Sequence, residues 1–276
     1  MRPGVCITIP YYSNLSYLDA ALQSLLEQTD PYWTAIVIDD ASPEVGARDH
    51  VLDLGDRRVR CVRNRANLGI AANFNRCLEL GGEVADIVTI FHADDVLEPT
   101  YVAAIRSAHD VFSTATCVAP RAIVIGSDGR PMRTLADSVK RLLWPRNLPV
   151  VLEGDRGLER LMHGLFFYSP AVSYRIDLLP DVRFDERWKQ VMDLDLFARV
   201  LLADGSIALI PDKVYCYRRH ADSATAENTR SSVRAKEEAA VSSEIVELAA
   251  DRGWSRTMRA GRLRPITRLS DWWYQR

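Results

Sequence analysis

The chain has 276 residues, is 47% apolar and carries a formal net charge of −2. That length and apolar content suit one large or two small globular domains with a real core and exclude a disordered chain. The even charge balance argues against a nucleic-acid partner, which would need a strongly basic face.

Val5-Cys6-Ile7-Thr8-Ile9 reads as a first strand, stopped by Pro10. Leu15, Leu18, Leu22, Leu25 and Leu26 then recur at helical spacing, with Ser16 and Asp19 placed as a capping box. Ala35 to Ile38 is a second strand ending in Asp39-Asp40, Val59 to Val62 a third, and Ile87 to Phe91 a fourth. Alternation of short apolar runs with helical patterns, from Val5 to about Ile125, predicts βαβ units and a mostly parallel sheet. Ligands of such sheets bind where the loops after the strand C-termini share a crevice. Asp39, Asp40, Asp94 and Asp95 therefore converge, and would repel one another strongly unless a cation or ligand donors offset them.

Asn67 to Arg76 begins a helix with Gly69 and small residues. This suits either close approach of a flat ligand, with a diphosphate at the helix N-terminus, or tight packing of the helix on the sheet. After His92-Ala93-Asp94-Asp95, the run Val96-Leu97-Glu98-Pro99 reads as a turn into a helix with Pro at its first position. Asp94 or Asp95 as a mere cap of that helix is the plainer alternative. The five cysteines (Cys6, Cys61, Cys77, Cys117, Cys216) have neither CxxC nor metal spacing, which predicts reduced thiols. With no signal pattern at the N-terminus and no apolar run near the roughly 20 residues of a membrane span, the expected location is cytoplasmic, soluble or peripheral at the inner face of the cell membrane.

Taken in order, Ile9-Pro10-Tyr11-Tyr12, Ile38-Asp39-Asp40-Ala41-Ser42, Asn67-Leu68-Gly69 and His92-Ala93-Asp94-Asp95 resemble glycosyltransferase family 2. Phe184-Asp185-Glu186 with Met192-Asp193-Leu194-Asp195-Leu196, and Tyr217-Arg218-Arg219-His220-Ala221-Asp222-Ser223, continue the resemblance, which covers about residues 4–225. It implies an α/β protein of the GT-A fold, with a Rossmann-like, mostly parallel sheet flanked by helices and a C-terminal helical extension. It also implies an inverting enzyme that moves a sugar from a nucleoside-diphosphate sugar, UDP-sugar first, to a carbohydrate or glycolipid hydroxyl. The implied division is a catalytic domain over 1–228 (nucleotide half 1–125, acceptor half 126–228) and an extension over 229–276.

Carried over residue by residue, the resemblance implies that Pro10 and Tyr12 flank the base and that Asp39 and Asp40 hydrogen-bond it. Asn67 and Gly69 lie at the nucleotide, and Asp94 faces the ribose or the metal. Asp95 is the main ligand of Mn²⁺ or Mg²⁺, His220 closes over the metal or phosphates, and Arg218 contacts phosphate. Asp193 is the base that takes the acceptor proton, against the alternative of a helix cap, while Asp195 supports packing or a nearby Arg. Two departures stand out: His92 replaces a carboxylate of the metal motif, and Met192 stands where the family carries Glu. Both keep open a second reading, a nucleotide-sugar-binding scaffold with weak or no turnover. A sugar-1-phosphate nucleotidyltransferase is disfavoured, because Pro10 to Asn14 is not a Gly-rich, basic loop.

Residues 130–150, rich in Arg, Pro and Leu, read as a lid or acceptor loop, followed by an acceptor-side strand at Leu165 to Val172. Val233 to Asp251 is a helix with Glu237, Glu238, Glu244 and Glu247 on a solvated face. Arg252 to Arg276 holds seven arginines and one acid interleaved with Trp254, Met258, Leu263, Ile266, Leu269, Trp272, Trp273 and Tyr274. That pattern fits docking on an anionic membrane surface, or packing of the aromatics on the catalytic domain or a second subunit in a homodimer.

Overall fold

The computed structural model describes residues 4–44, 46–220 and 233–263. One mixed nine-stranded sheet runs through the molecule. Its strands are β1 (Val5–Tyr11), β2 (Trp33–Asp39), β3 (Val59–Arg63), β4 (Ile87–Ile90), β5 (Val96–Leu97), β6 (Cys117–Ile125), β7 (Val150–Glu153), β8 (Ser173–Arg175) and β9 (Ser206–Arg218). The helices are α1 (Leu15–Leu26), α2 (Ala47–Asp53), α3 (Ile70–Gly82), α4 (Tyr101–Val111), α5 (Leu135–Leu143), α6 (Gly154–Met162), α7 (Met192–Leu202), α8 (Val233–Asp251) and α9 (Ser255–Leu263).

The order along the sheet is β3-β2-β1-β4-β8-β6-β9-β5, with β7 paired to β9. β3, β2, β1 and β4 are mutually parallel, while β8 inserts antiparallel between β4 and β6. Alternation along β1 builds both cores. Val5, Ile7 and Ile9 pack under Leu18, Leu22 and Leu25 of α1 and Ile105 of α4, whereas Cys6 joins Cys77 and Leu78 of α3. Leucines buried as completely as these contribute roughly 1.5–3 kcal/mol each. Close approach of α3 to the sheet depends on Gly81, where a Cβ would stand 2.7 Å from Val88 Cγ1. Gly69 serves differently: its φ of +81° opens α3, and nothing lies within 4 Å of its missing Cβ.

Several boundaries differ from expectation. β1 runs through Pro10 to Tyr11, because Pro10 stands at the strand's end, where its missing N–H does little harm. α1 is capped by Asn14, whose side chain accepts the Tyr17 amide, and Asp19 instead pairs with His50. Val96 and Leu97 form β5, and Pro99 precedes Thr100 at the head of α4, so Pro is outside that helix. Residues 135–143 are helical rather than a bare loop, and the segment at 165–172 is coil and a 3₁₀ turn, with the strand beginning at Ser173.

The C-terminal helices are bolted to the body. Glu237 accepts the backbone amides of Lys189 (3.1 Å) and Gln190 (2.8 Å), and Glu244 pairs with Arg187 at 3.1 Å. Asp155 accepts the Arg256 and Thr257 amides at the start of α9. These glutamates are thus not simply solvated, and Trp254 packs against the main core. The remainder of the aromatic and basic tail, and Ala221 to Ser223, lie outside the described residues.

Candidate active site

The parallel strands β1, β2 and β4 end at one crevice, and the adjacent carboxylates stand there because apolar residues fix the strands behind them. Asp39 and Asp40 follow Ile38, and both are buried. Asp39 accepts the Ser42 amide at 2.7 Å and pairs with Arg63. Asp40 accepts Asn64 Nδ2 at 2.8 Å and the amides of Leu68 (2.9 Å) and Gly69 (3.2 Å). Asn67 Oδ1 accepts the same Gly69 amide at 2.9 Å. Tyr12, 51% exposed beside Pro10, leaves a ring face open to a flat partner.

The expected repulsion among four carboxylates is thus met inside the protein. Arg63, Asn64 and backbone amides satisfy Asp39 and Asp40. Asp40 thus holds the loop at Leu68 and Gly69 that leads into α3. Asn64 was not anticipated: it is an ordinary polar residue in sequence, and only the fold sets it between Asp40 and Asn73.

At the end of β4 the two aspartates diverge. Asp95 is 1% exposed. Its Oδ2 accepts Tyr215 Oη at 2.7 Å and its Oδ1 the Arg218 amide at 2.6 Å, and burial, followed by the neighbouring Asp94 charge, holds its carboxyl well above the ordinary range. Asp94 is more open and its Oδ2 lies 2.8 Å from His220 Nε2. Burial works to raise its carboxyl, but the His220 hydrogen bond together with the His92 and His220 charges outweighs it and the group is lowered. Asp95 thus anchors β9 while its carboxylate stays within the same group as Asp94.

Arg218 also departs from its expected place. Its Nε donates to the Asp94 carbonyl at 2.6 Å and Nη1 to the Gly126 and Ser127 carbonyls at 3.3 Å, with the guanidinium 5.0 Å over the Tyr17 ring. Buried and held by three carbonyls, it clamps loops together and has little left for phosphate. His220 reaches the end of β4 from the C-terminal side, against Asp94.

His92, read in sequence as a lost carboxylate, instead joins the group. His92, Asp94 and Asp95 each bring a ligand atom within 4.8 Å of the others. Burial lowers the His92 imidazole, against the pull of Asp94 and Asp193, so it offers a neutral nitrogen lone pair. One imidazole with carboxylate oxygens fits Mn²⁺ better than Mg²⁺, which takes oxygen donors almost alone.

Asp193 enters from α7. It occupies the first turn after Val191, so it is inside the helix rather than its cap, and its charge acts on His92, Lys140 and Tyr174. Met192 beside it is buried in the main core. Asp195 pairs with Arg199 one turn on, as expected of a supporting residue. Lys140 of α5 was not anticipated. Burial lowers its ammonium to about 8, opposed by Asp193, and its Nζ lies 3.4 Å from the Phe167 carbonyl and 4.2 Å from the Tyr168 ring centre.

These groups ring a crevice at the strand ends of a Rossmann-like sheet of GT-A type. A model described as glycosyl transferase family 2 matches residues 6–170. The chain belongs to that family and is a glycosyltransferase. An uncharacterized protein of Mycobacterium tuberculosis is 29% identical over 83% of this chain and 70% of its own length. The succinoglycan biosynthesis protein ExoO of Rhizobium meliloti is 24% identical over 78% of this chain and 60% of its own. In structure, S. aureus TarS 1–349 in complex with UDP-GlcNAc superposes with a TM-score of 0.67, at 17% identity, over 89% of this chain and 66% of that one. Among the described residues, no helix is long and apolar enough to cross a membrane.

Proposed function

We propose that the chain is an inverting transferase that moves a sugar from a UDP-sugar to a hydroxyl of a carbohydrate or glycolipid acceptor, in the building of a surface polysaccharide or glycolipid. Residues 1–228 are read as its catalytic domain and 229–276 as an extension. The observation that carries this reading is the grouping of His92, Asp94 and Asp95 at the end of β4, with Asp193 acting on His92 from α7. The polysaccharide role of ExoO and the UDP-GlcNAc held by TarS favour the pathway and the donor.

Tyr12 stacks on the base, and Asp39 with Asp40 shapes the loop that receives it through Ser42 and Gly69. His92, Asp94 and Asp95 would hold Mn²⁺, with His220 closing over them from its contact with Asp94. The cation, when bound, offsets charge that grows on the departing diphosphate. Asp193 takes the acceptor hydroxyl proton, and the oxygen then attacks the anomeric carbon from the side opposite the diphosphate. Lys140 of α5 adds positive charge that acts on the Asp193 carboxylate.

Calorimetric titration of UDP, GDP and dTDP, each with and without Mn²⁺, tests the reading on the wild type and on Asp94→Ala. Binding of UDP that needs both Mn²⁺ and Asp94 is the expected result. Failure of every nucleotide to bind would overturn the reading, whereas binding without sugar transfer would leave the scaffold reading in its place. In His92→Asp, an all-oxygen set should narrow the preference for Mn²⁺ over Mg²⁺.

A further inference from the structure

Helix α5 is oriented against the usual rule for a helix on a protein surface. Its acid faces inward: Asp137 accepts Tyr168 Oη at 2.7 Å and pairs with Arg219, while Thr134 caps the first turn. Lys140 turns the same way, and Leu143 and Trp144 pack on the core. Leu135 and Leu142 face out. Leu135 is 71% exposed and Leu142 81%, and seven residues of α-helix place them on one stripe. Solvent selects the reverse pattern, so an outward apolar stripe on a firmly anchored helix marks a contact surface.

Exposed cationic residues surround the stripe. Arg130, Arg133, Arg141 and Arg146 are all exposed, with Asp128 the exposed acid in the same stretch and Met132 adding apolar surface. Leucines flanked by arginines match the boundary between acyl chains and anionic headgroups. A second copy of the chain fits less well, because two leucines on a nine-residue helix fall far short of the roughly 800 Å² per partner of a stable dimer. Nor does the chain's own end suit, since residues 264–276 carry Arg264, Arg268 and Arg276 against Asp271 and would be repelled by the same arginines.

We propose that α5 and the arginines around it dock the enzyme on an anionic bilayer surface, with the stripe Leu135 and Leu142 in the headgroup layer. The opposite side of the same helix carries Lys140, whose Nζ lies against the Phe167 carbonyl and the Tyr168 ring and feels the Asp193 charge. Docking there turns the acceptor side of the crevice toward the membrane, so that a lipid-linked acceptor enters from the bilayer plane. The inference rests on the glycolipid branch of the function proposed above, and it places the contact on α5 rather than on the C-terminal tail.

The test is flotation of the full chain with vesicles of phosphatidylglycerol and phosphatidylcholine, or of phosphatidylcholine alone, at low salt. Wild type is expected to float with the anionic vesicles and to stay behind with the neutral ones. Leu135→Glu/Leu142→Glu and, separately, Arg133→Glu/Arg141→Glu should each lower retention at least five-fold. Leu52→Glu, at an exposed leucine of α2 far from the patch, should leave it unchanged. Wild type that ignores anionic vesicles, or α5 variants retained as well as wild type, would overturn the proposal. So would a dimer seen by light scattering that the leucine pair disrupts, because the occupant would then be a second copy. UDP titration of the same proteins separates the two readings: loss of UDP binding in wild type removes the donor assignment, whereas vesicle retention alone decides the docking surface.

Discussion

Asp95 Oδ1 accepts the backbone amide of Arg218 at 2.6 Å, which ties the end of β4 to the end of β9 across 123 residues of sequence. Tyr215 closes the other oxygen of the same carboxylate. The next two residues after Arg218 lead to His220 and so to Asp94. The consequence is that a residue of the acidic motif holds the far wall of the group His92, Asp94 and Asp95.

Asp95→Ala should therefore damage stability before chemistry. It leaves the buried Tyr215 hydroxyl and Arg218 amide without an acceptor, at a cost of about 2–3 kcal/mol in urea unfolding. Tyr215→Phe removes one partner and should cost about 1 kcal/mol, with UDP binding retained. An Asp95→Ala protein that unfolds like wild type yet no longer binds Mn²⁺ would make Asp95 a ligand first and an anchor second.

Asp193→Asn tests the base. The substitution keeps size and position in α7 but removes the proton acceptor, so turnover should fall by roughly 10²–10⁴. Binding of UDP and Mn²⁺, measured by calorimetry, should stay within about two-fold of wild type, because the loss belongs to the transition state alone. A matching fall in UDP affinity would instead point to a donor-binding role.

How far the sequence reveals this arrangement follows from range. The strands β1 to β4 are legible because continuous β-branched runs bounded by polar loops are local signals. Both Asp pairs are legible as strand endings. What each carboxylate does is not, since Arg63, Asn64, Tyr215 and Arg218 reach Asp39, Asp40 and Asp95 only through the fold. β9 has no counterpart among the expected strands, because Pro211-Asp212-Lys213 interrupts its apolar pattern at the register shift opposite Arg121. α5 reads as a loop for a related reason: Leu135 and Leu142 face solvent, so the apolar rhythm does not announce a buried face.

The buried imidazole of His109 should set the acid limit of stability. It donates or accepts at 2.8 Å with Ser173 Oγ, and burial, aided by the Arg175 charge, lowers it to about 3. An unfolded histidine titrates near ~6.5, so below that value the unfolded chain binds a proton that the folded one refuses. Stability is then fully present above about pH 6.5 and falls with acidification until the folded group also titrates near 3. Between pH 6.5 and 5 the loss should approach ~2 kcal/mol in urea unfolding. His109→Gln should be less stable at neutral pH but flatter across that window, and an unchanged slope would remove His109 as the cause.

Glu237 of α8 is predicted to act on catalysis from outside the crevice. Its carboxylate accepts the Lys189 and Gln190 amides, and Val191, Met192 and Asp193 follow directly. The α8 anchor thus fixes the turn from which α7 and Asp193, the proposed base, project. Removing it in Glu237→Ala frees two amides on a partly exposed loop, so the stability cost should be on the order of 1 kcal/mol. The larger effect should be positional, because small displacements of a reacting group lower kcat while leaving donor affinity alone. We expect a several-fold loss of kcat, unchanged UDP affinity, and faster hydrogen exchange across 187–193. Glu237→Gln keeps an accepting oxygen and should recover most of the kcat. Equal losses in the Ala and Gln variants would show that the charge of Glu237, and not its grip on the two amides, matters to Asp193.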